Sequence, residues 1–172
     1  MSRWVRILGI DPGSRRTGYG VIDSDGQQSR YVASGVINAQ QLARSGAPAA
    51  RLRVIFAGVS ELLDTYAPQE MAVERVFVAR NPDSALKLGQ ARAAAICASF
   101  ALDMAVSDYA PREVKLAVVG KGGASKAQVQ HMVGVLLTLR ENLPEDAADA
   151  LGVALCHAHS RAAQARLAEA RA

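Results

Sequence analysis

Four carboxylates stand where the neighbouring residues call for burial. The run Val-Arg-Ile-Leu-Gly-Ile stops at Asp11, Met-Ala-Val stops at Glu74, and Asp146 and Asp149 lie three residues apart at the head of an almost wholly apolar stretch. Like charges gathered in a low-dielectric place repel one another and resist desolvation. A bound divalent cation is the usual remedy, and a cluster of that kind is usually a catalytic site. An all-oxygen donor set, with no Cys and no well-placed His, suits Mg²⁺ or Mn²⁺ rather than zinc.

Each acid also has a bland explanation. Asp-Pro-Gly is a common turn in which the Asp binds nearby backbone N–H groups. Glu74 could be a surface acid paired with Arg75, and acids in a first helical turn simply complement the helix dipole. Two observations weigh against these explanations. Glu145 already fills the dipole role, and Asp146, Asp149, Val153 and Cys156 follow an i, i+3, i+7, i+10 progression, so the two acids extend an apolar stripe. All four acids also fall at element ends.

The elements that must position them are readable from periodicity. Val5 to Ile10 is a central strand by its continuous apolar run. Thr17 to Ile22 and Arg30 to Ile37 are two further strands, joined through Asp23-Ser-Asp-Gly26, whose Asp-Gly signals a hairpin. A loop rich in Ala, Ser, Gly and Gln follows and closes at Pro48. Leu52, Ile55, Phe56, Val59, Leu62, Leu63 and Tyr66 then step by three and four, which predicts an amphipathic helix ended by Pro68. Met71 to Val73 is the next strand. If it neighbours the first strand in parallel, Asp11 and Glu74 share the carboxyl edge where open α/β sheets build their sites.

A second long helix is expected over Asp83 to Phe100, a short strand at Ala105-Val106, and a short helix from Pro111 to near Gly120. Ser125 and Gln128 have capping-box spacing ahead of the stripe Val129, Met132, Val133, Leu136 and Leu137. Pro144 precedes a last helix from about Glu145. Its residues Ala147 to Cys156 leave no polar face beyond Asp149, so it should be buried. After Ser160 the Arg/Ala-rich tail should be a solvated helix end.

The chain of 172 residues, half of them apolar, is expected to form one domain, 1–172. No run of about 18 apolar residues predicts a membrane helix. The first residues show no signal-peptide pattern, so a cytoplasmic location is expected. Cys97 and Cys156 are isolated in Ala-rich patterns and read as buried free thiols in a reducing compartment. The net charge of +4 leans towards a polyanionic partner without establishing one.

Gly9-Ile-Asp-Pro-Gly-Ser-Arg-Arg-Thr-Gly-Tyr-Gly20 resembles the opening signature of the RuvC family of Holliday junction resolvases. So do Glu74-Arg-Val-Phe77, Arg80-Asn-Pro-Asp-Ser-Ala-Leu-Lys-Leu-Gly-Gln-Ala-Arg92, Val118-Val-Gly-Lys-Gly-Gly-Ala-Ser-Lys126, Gln128-Val-Gln-His-Met132 and Asp146-Ala-Ala-Asp-Ala-Leu151. The likeness runs from about residue 5 to 160. It implies an RNase H-like fold, a five-stranded mixed sheet with helices on both faces. It also implies a homodimer whose two sites nick strands of like polarity in a four-way junction during recombination and repair, with the branch-migration complex of RuvA and RuvB as partner.

By the same resemblance Asp11, Glu74, Asp146 and Asp149 are the catalytic acids. Two Mg²⁺ ions about 3.5–4 Å apart, with Mn²⁺ able to substitute, could activate a water and stabilise the leaving 3′-oxygen, giving 5′-phosphate and 3′-hydroxyl ends. Asp11 is the expected shared ligand. Phe77 reads as core packing on sequence alone, whereas the resemblance has an aromatic here stacking on a junction base. Lys115 and Lys126 match positions that contact DNA, and Lys126 also sits at a helix start that favours phosphate. Lys121 in the glycine loop, and Arg80, Lys87 and Arg92, are further phosphate candidates. The helix over Asp83 to Phe100, with its alanines and Gly89, is the expected dimer face.

His157 and His159, two apart on a helix, cannot both face one ligand. His131 lies on a polar face, with a transient part in proton transfer left open. Three other readings compete. A nuclease of the same fold that processes RNA ends lacks the segments around Phe77 and Lys126. An actin-like ATPase or sugar kinase shares Asp-Pro-Gly-x₄-Gly but needs a second lobe. A junction-binding scaffold would be expected to have lost an acid.

Overall fold

The computed structural model describes residues 4–41, 48–76, 81–140 and 143–171. Five strands form one sheet: β1 (Val5–Asp11), β2 (Arg16–Ser24), β3 (Ser29–Asn38), β4 (Glu70–Glu74) and β5 (Ala105–Tyr109), in the order β3-β2-β1-β4-β5. β1 to β3 form an antiparallel meander, whereas β4 and β5 run parallel to β1. The sheet is therefore mixed, as expected. The hairpin between β2 and β3 turns on Gly26 at φ 88°, and the Asp25 carboxylate accepts the N–H groups of Gln27 and Gln28. The one Arg in β1 is satisfied across the ladder, where Arg6 binds both carboxylate oxygens of its strand partner Asp23 at 2.8 and 3.0 Å.

The strands alternate between two faces, apart from an irregularity in β3 where the register shifts opposite Val21 and Ile22. On one face Leu8, Ile10, Val21, Met71 and Val73 pack beneath α1 (Pro48–Tyr66) and α2 (Pro82–Cys97). On the other, Val5, Ile7, Ile22 and Ala72 pack beneath α3 (Pro111–Val119), α4 (Lys126–Leu136) and α5 (Glu145–Glu169). Helices thus cover both faces, the layered arrangement of an RNase H-like fold. α5 is buried without interruption from Ala150 to Ala158, as a helix apolar on all sides must be. Beyond it the helix carries on to Glu169, mostly exposed.

Helix starts follow local chemistry. Asn81 accepts the Asp83 N–H and Pro82 takes the first turn of α2. Glu113 accepts the N–H of Ala110 ahead of α3, which stops at Gly120 with φ 79°. Ser125 and Gln128 form the expected capping box on α4.

Three expectations change. α1 begins at Pro48 rather than Leu52, because proline is well placed in a first helical turn. β5 extends to Tyr109 and is an edge strand, less buried than the central ones, so the polar residues Ser107 and Asp108 do not end it. Cys156 is buried but Cys97 is exposed. The sequence around Cys97 is nearly all alanine, so its apolar character does not separate the two faces of α2. The buried side is Ala91 and Ala95, and Cys97 shares the opposite side with Leu86 and Ala93. Among the described residues no helix is long and apolar enough to cross a membrane.

Candidate active site

Strand register sets the first two acids. β1 and β4 pair Ile10 with Val73, so Asp11 and Glu74 are next in line at the carboxyl ends of neighbouring parallel strands. Side chains alternate along a strand, so Asp11 shares its face with Ile7 and Gly9, and Glu74 shares its face with Ala72. That is the face on which α5 lies.

Glycines bring α5 down onto this edge. Gly9 pairs with Gly20 and Asp11 pairs with Gly18, so three glycines make a shallow trough across β1 and β2 beside Asp11. A β-carbon at Gly9 would come within 2.2 Å of the Ala150 carbonyl oxygen, one at Gly20 within 2.6 Å of Leu151 Cγ, and one at Gly18 within 1.9 Å of the Asp146 oxygen. The backbone of Asp146 therefore rests on the strand partner of Asp11. The trough was not singled out from the sequence, although Gly-Tyr-Gly places two glycines on one strand face and so carried the signal.

The electrostatics are those of crowded acids. Burial pushes the Asp11 carboxyl up to about 6, reinforced by repulsion from Asp149 and Asp146. Burial pushes Glu74 further, to about 8, with repulsion from Asp11 and Asp149 added and a hydrogen bond to Asp11 favouring its protonated form. Glu74 thus keeps a proton at neutral pH and donates it to Asp11. Asp149 is also raised by burial, against the opposing pull of Lys126. Asp146 is held differently, by Arg16, whose Nε lies 2.8 Å from its Oδ2. Lys126 reaches the same helix start, pairing with Glu145 and standing 3.5 Å from Asp149 Oδ2. Its ammonium is held above the usual lysine range, chiefly by the hydrogen bond to Glu145.

Lys126 is thus placed at the acids, and Arg16 joins it without having been picked out from sequence. Lys115 is half-buried on α3, and Lys121 is exposed in the loop after it. Lys87 pairs with Asp83 one turn back on α2 at 2.5 Å, and Arg92 pairs with Asp108 of β5. Both are engaged in ion pairs, as Arg16 and Lys126 are. Phe77 and Arg80 lie outside the described residues. His131 lines a cavity of about 570 Å³ with Gln130, Thr138, Arg140 and Ala148, none of them one of the four acids. His157 binds Tyr109 and Glu70, and His159 meets the Ala117 carbonyl at 3.2 Å, so the two point to different partners.

Whether the acids suit a cation is a question of donor chemistry and of placement. Among the described residues, no three His, Cys, Asp or Glu side chains stand close enough together to hold an ion as they lie. Asp146 and Asp149 are turned towards Arg16 and Lys126. The donor set fits a hard divalent ion: four carboxylates at one sheet edge, with burial and the neighbouring acids holding back the ionisation of Asp11 and Glu74. The positive charges drawn in by Asp146 and Asp149 mark the same demand.

Sheet order, helix layers and acids at the carboxyl edge define an RNase H-like α/β protein with a nuclease-type site. The family model of crossover junction endodeoxyribonuclease RuvC matches residues 7–157. A curated crossover junction endodeoxyribonuclease RuvC from Xanthomonas campestris pv. campestris (strain B100) is 55% identical over 163 residues, 94% of this chain and 92% of its own. Its counterpart from Teredinibacter turnerae is 55% identical over 166 residues, covering 96% and 94%. The solved structure of Thermus thermophilus RuvC in complex with Holliday junction substrate superposes with a TM-score of 0.86 at 34% identity, covering 93% of this chain and 96% of that one. The chain belongs to the RuvC family of crossover junction endodeoxyribonucleases.

Proposed function

We propose that this chain, acting as one nuclease domain over residues 1–172, resolves Holliday junctions by paired nicks in strands of like polarity. The carrying observation is the pair Asp11 and Glu74, two largely buried carboxyls on adjacent strand ends whose ionisation is held back by burial and by neighbouring acids, which a bound cation would relieve. Asp11, Glu74, Asp146 and Asp149 would hold Mg²⁺, with Mn²⁺ able to replace it and two ions per site. The chemistry these ions supply when bound is activation of a water and neutralisation of charge on the leaving 3′-oxygen. No residue need act as a covalent nucleophile, so the ends are 5′-phosphate and 3′-hydroxyl.

The chain's own side chains do the rest. With the acids holding cations, Lys126 and Arg16 would no longer be needed by Asp149 and Asp146 and would be available to the phosphate backbone. Lys115 and Lys121 extend this contact, and Phe77 and Arg80 are assigned to the junction by family likeness alone. The second copy needed for paired nicks packs on α2, whose outward stripe of Leu86, Gly89, Ala93 and Cys97 is exposed and apolar. Phe100, just beyond the helix, is 70% exposed. A working partnership with RuvA and RuvB rests on the family.

The test is cleavage of a synthetic four-way junction against linear duplex of the same arm sequences, with Mg²⁺. Symmetric nicks that a ligase seals directly support the reading. Equal cutting of linear duplex points to a general RNase H-like nuclease, and tight junction binding without cutting points to a scaffold.

A further inference from the structure

α5 must be held at one axial position, because its first turn carries Asp146 and Asp149. The part of its contact with the sheet that lies over the glycine trough does little to fix that position. Ala150 and Ala154 ride on Gly9, and the Asp146 backbone rides on Gly18. Glycine against alanine lets a helix approach closely but offers few interlocking side chains, leaving Leu151 over Gly20 as the one large knob in the trough. Directional hydrogen bonds are a better lock against sliding than smooth apolar contact.

Such a lock lies at the far end of the buried segment. His157 is only 7% exposed. Its Nε2 lies 2.6 Å from Glu70 Oε2 and its Nδ1 lies 2.8 Å from the Tyr109 hydroxyl. With the ring proton on Nε2, His157 donates to Glu70 and accepts from Tyr109. One turn further on, Arg161 Nε donates to the other Glu70 oxygen at 2.7 Å. α5 thus grips Glu70 with two residues spaced i, i+4 on one face. His157 follows Asp146 by three turns, about 16 Å along the same helix face.

The strand partners of this lock lead back to the acids. Glu70 opens β4, the strand that ends at Glu74. Tyr109 is the register partner of Glu74, and its carbonyl accepts the Arg75 N–H at 2.8 Å, immediately after that acid. His157 therefore ties the helix bearing two acids to both ends of the strand bearing a third.

We propose that His157, acting through Glu70 and Tyr109, is a positioning residue that sets the axial register of α5 and so places Asp146 and Asp149 against Asp11 and Glu74. This rests on the nuclease reading of the site. The lock touches none of the four acids, so its loss disturbs their geometry and leaves the junction-binding surface in place.

The test compares wild type with His157→Leu, His157→Gln and a control, Val59→Ala, which thins the core on the opposite sheet face. Junction cleavage is measured at saturating Mg²⁺, with hydrogen exchange of residues 145–149 measured without DNA. His157→Leu should lower kcat tenfold or more with KM within twofold, and exchange at 145–149 should speed up. Glutamine can present its amide nitrogen near the Nε2 position, so His157→Gln should recover kcat to within about threefold. Val59→Ala should leave kcat unchanged at a comparable fall in Tm. An unaltered kcat in His157→Leu, a rise in KM alone, or a glutamine variant as poor as leucine would overturn the proposal. If His157→Leu does not fold, Glu70→Gln is judged by the same split. A wild type that fails to cut junctions refutes the nuclease reading alone. The exchange comparison then still judges the lock, and unchanged exchange at 145–149 refutes it.

Discussion

Gly18 lies directly beneath Asp146: it is the ladder partner of Asp11, and a β-carbon there would stand 1.9 Å from the Asp146 carbonyl oxygen. One missing methyl group thus brings an acid from the last helix to an acid from the first strand. Gly18→Ala should push the start of α5 off the sheet, destabilise the protein by roughly 2 kcal/mol or more, and reduce junction cleavage at least tenfold. Thermal unfolding and a cleavage assay check both parts. Gly134→Ala makes the contrast, since it lies within α4, its β-carbon meets nothing within 4 Å and alanine favours the helix, so stability should hold or rise by up to about 1 kcal/mol.

The raised carboxyls fix a pH dependence for the chelated protein. Asp11 titrates at about 6 and Glu74 at about 8 in the fold, both above their ordinary values. The folded chain then holds protons that the unfolded chain has released, so the stabilising share of these groups is full below about pH 4. It is lost as pH rises through about 6 and about 8. Asp11→Asn and Glu74→Gln should each make the metal-free protein more stable than wild type at pH 8, by roughly 1–3 kcal/mol. Urea denaturation at pH 5 and pH 8 in chelator shows the sign, and no gain at pH 8 would contradict the assignment.

Arg16 competes with a cation for Asp146. Replacing it with glutamine removes a positive charge 2.8 Å from Oδ2, so Arg16→Gln should bind Mn²⁺ several-fold more tightly than wild type without DNA. Calorimetric titration with Mn²⁺ measures this. Junction affinity should fall in the same variant and depend less steeply on salt, because one phosphate contact is lost.

The exposed stripe of α2 should carry the second copy. Leu86→Glu together with Phe100→Asp places charge on residues that are 68% and 70% exposed in the single chain, so the fold should tolerate both. Light scattering should show a dimer for wild type and a monomer for the double variant, with paired nicking lost.

Much of this was legible in the chain because the strands alternate cleanly and the acids interrupt apolar runs. Asp11 and Glu74 fell at strand ends by pattern alone, and the parallel pairing of β1 with β4 brought them together. Where pattern failed, the reason is physical. Around Cys97 nearly every residue is alanine, so hydrophobicity did not separate inside from outside. Ser107 and Asp108 broke an apolar run that an edge strand does not need. The ion pair of Arg16 with Asp146, and the hold of His157 on Glu70, join residues far apart in sequence, and no local spacing encodes them.

The most direct measurement is the behaviour of Asp11→Asn on a four-way junction with Mg²⁺ present. Wild type should cut the junction in symmetric pairs. Asp11→Asn should bind it with similar affinity and lose cutting by at least a thousandfold, since the amide lacks the negative charge and has one ligating oxygen where the carboxylate has two. A variant that still cuts at near wild-type rate would contradict the central claim that these carboxylates carry the chemistry.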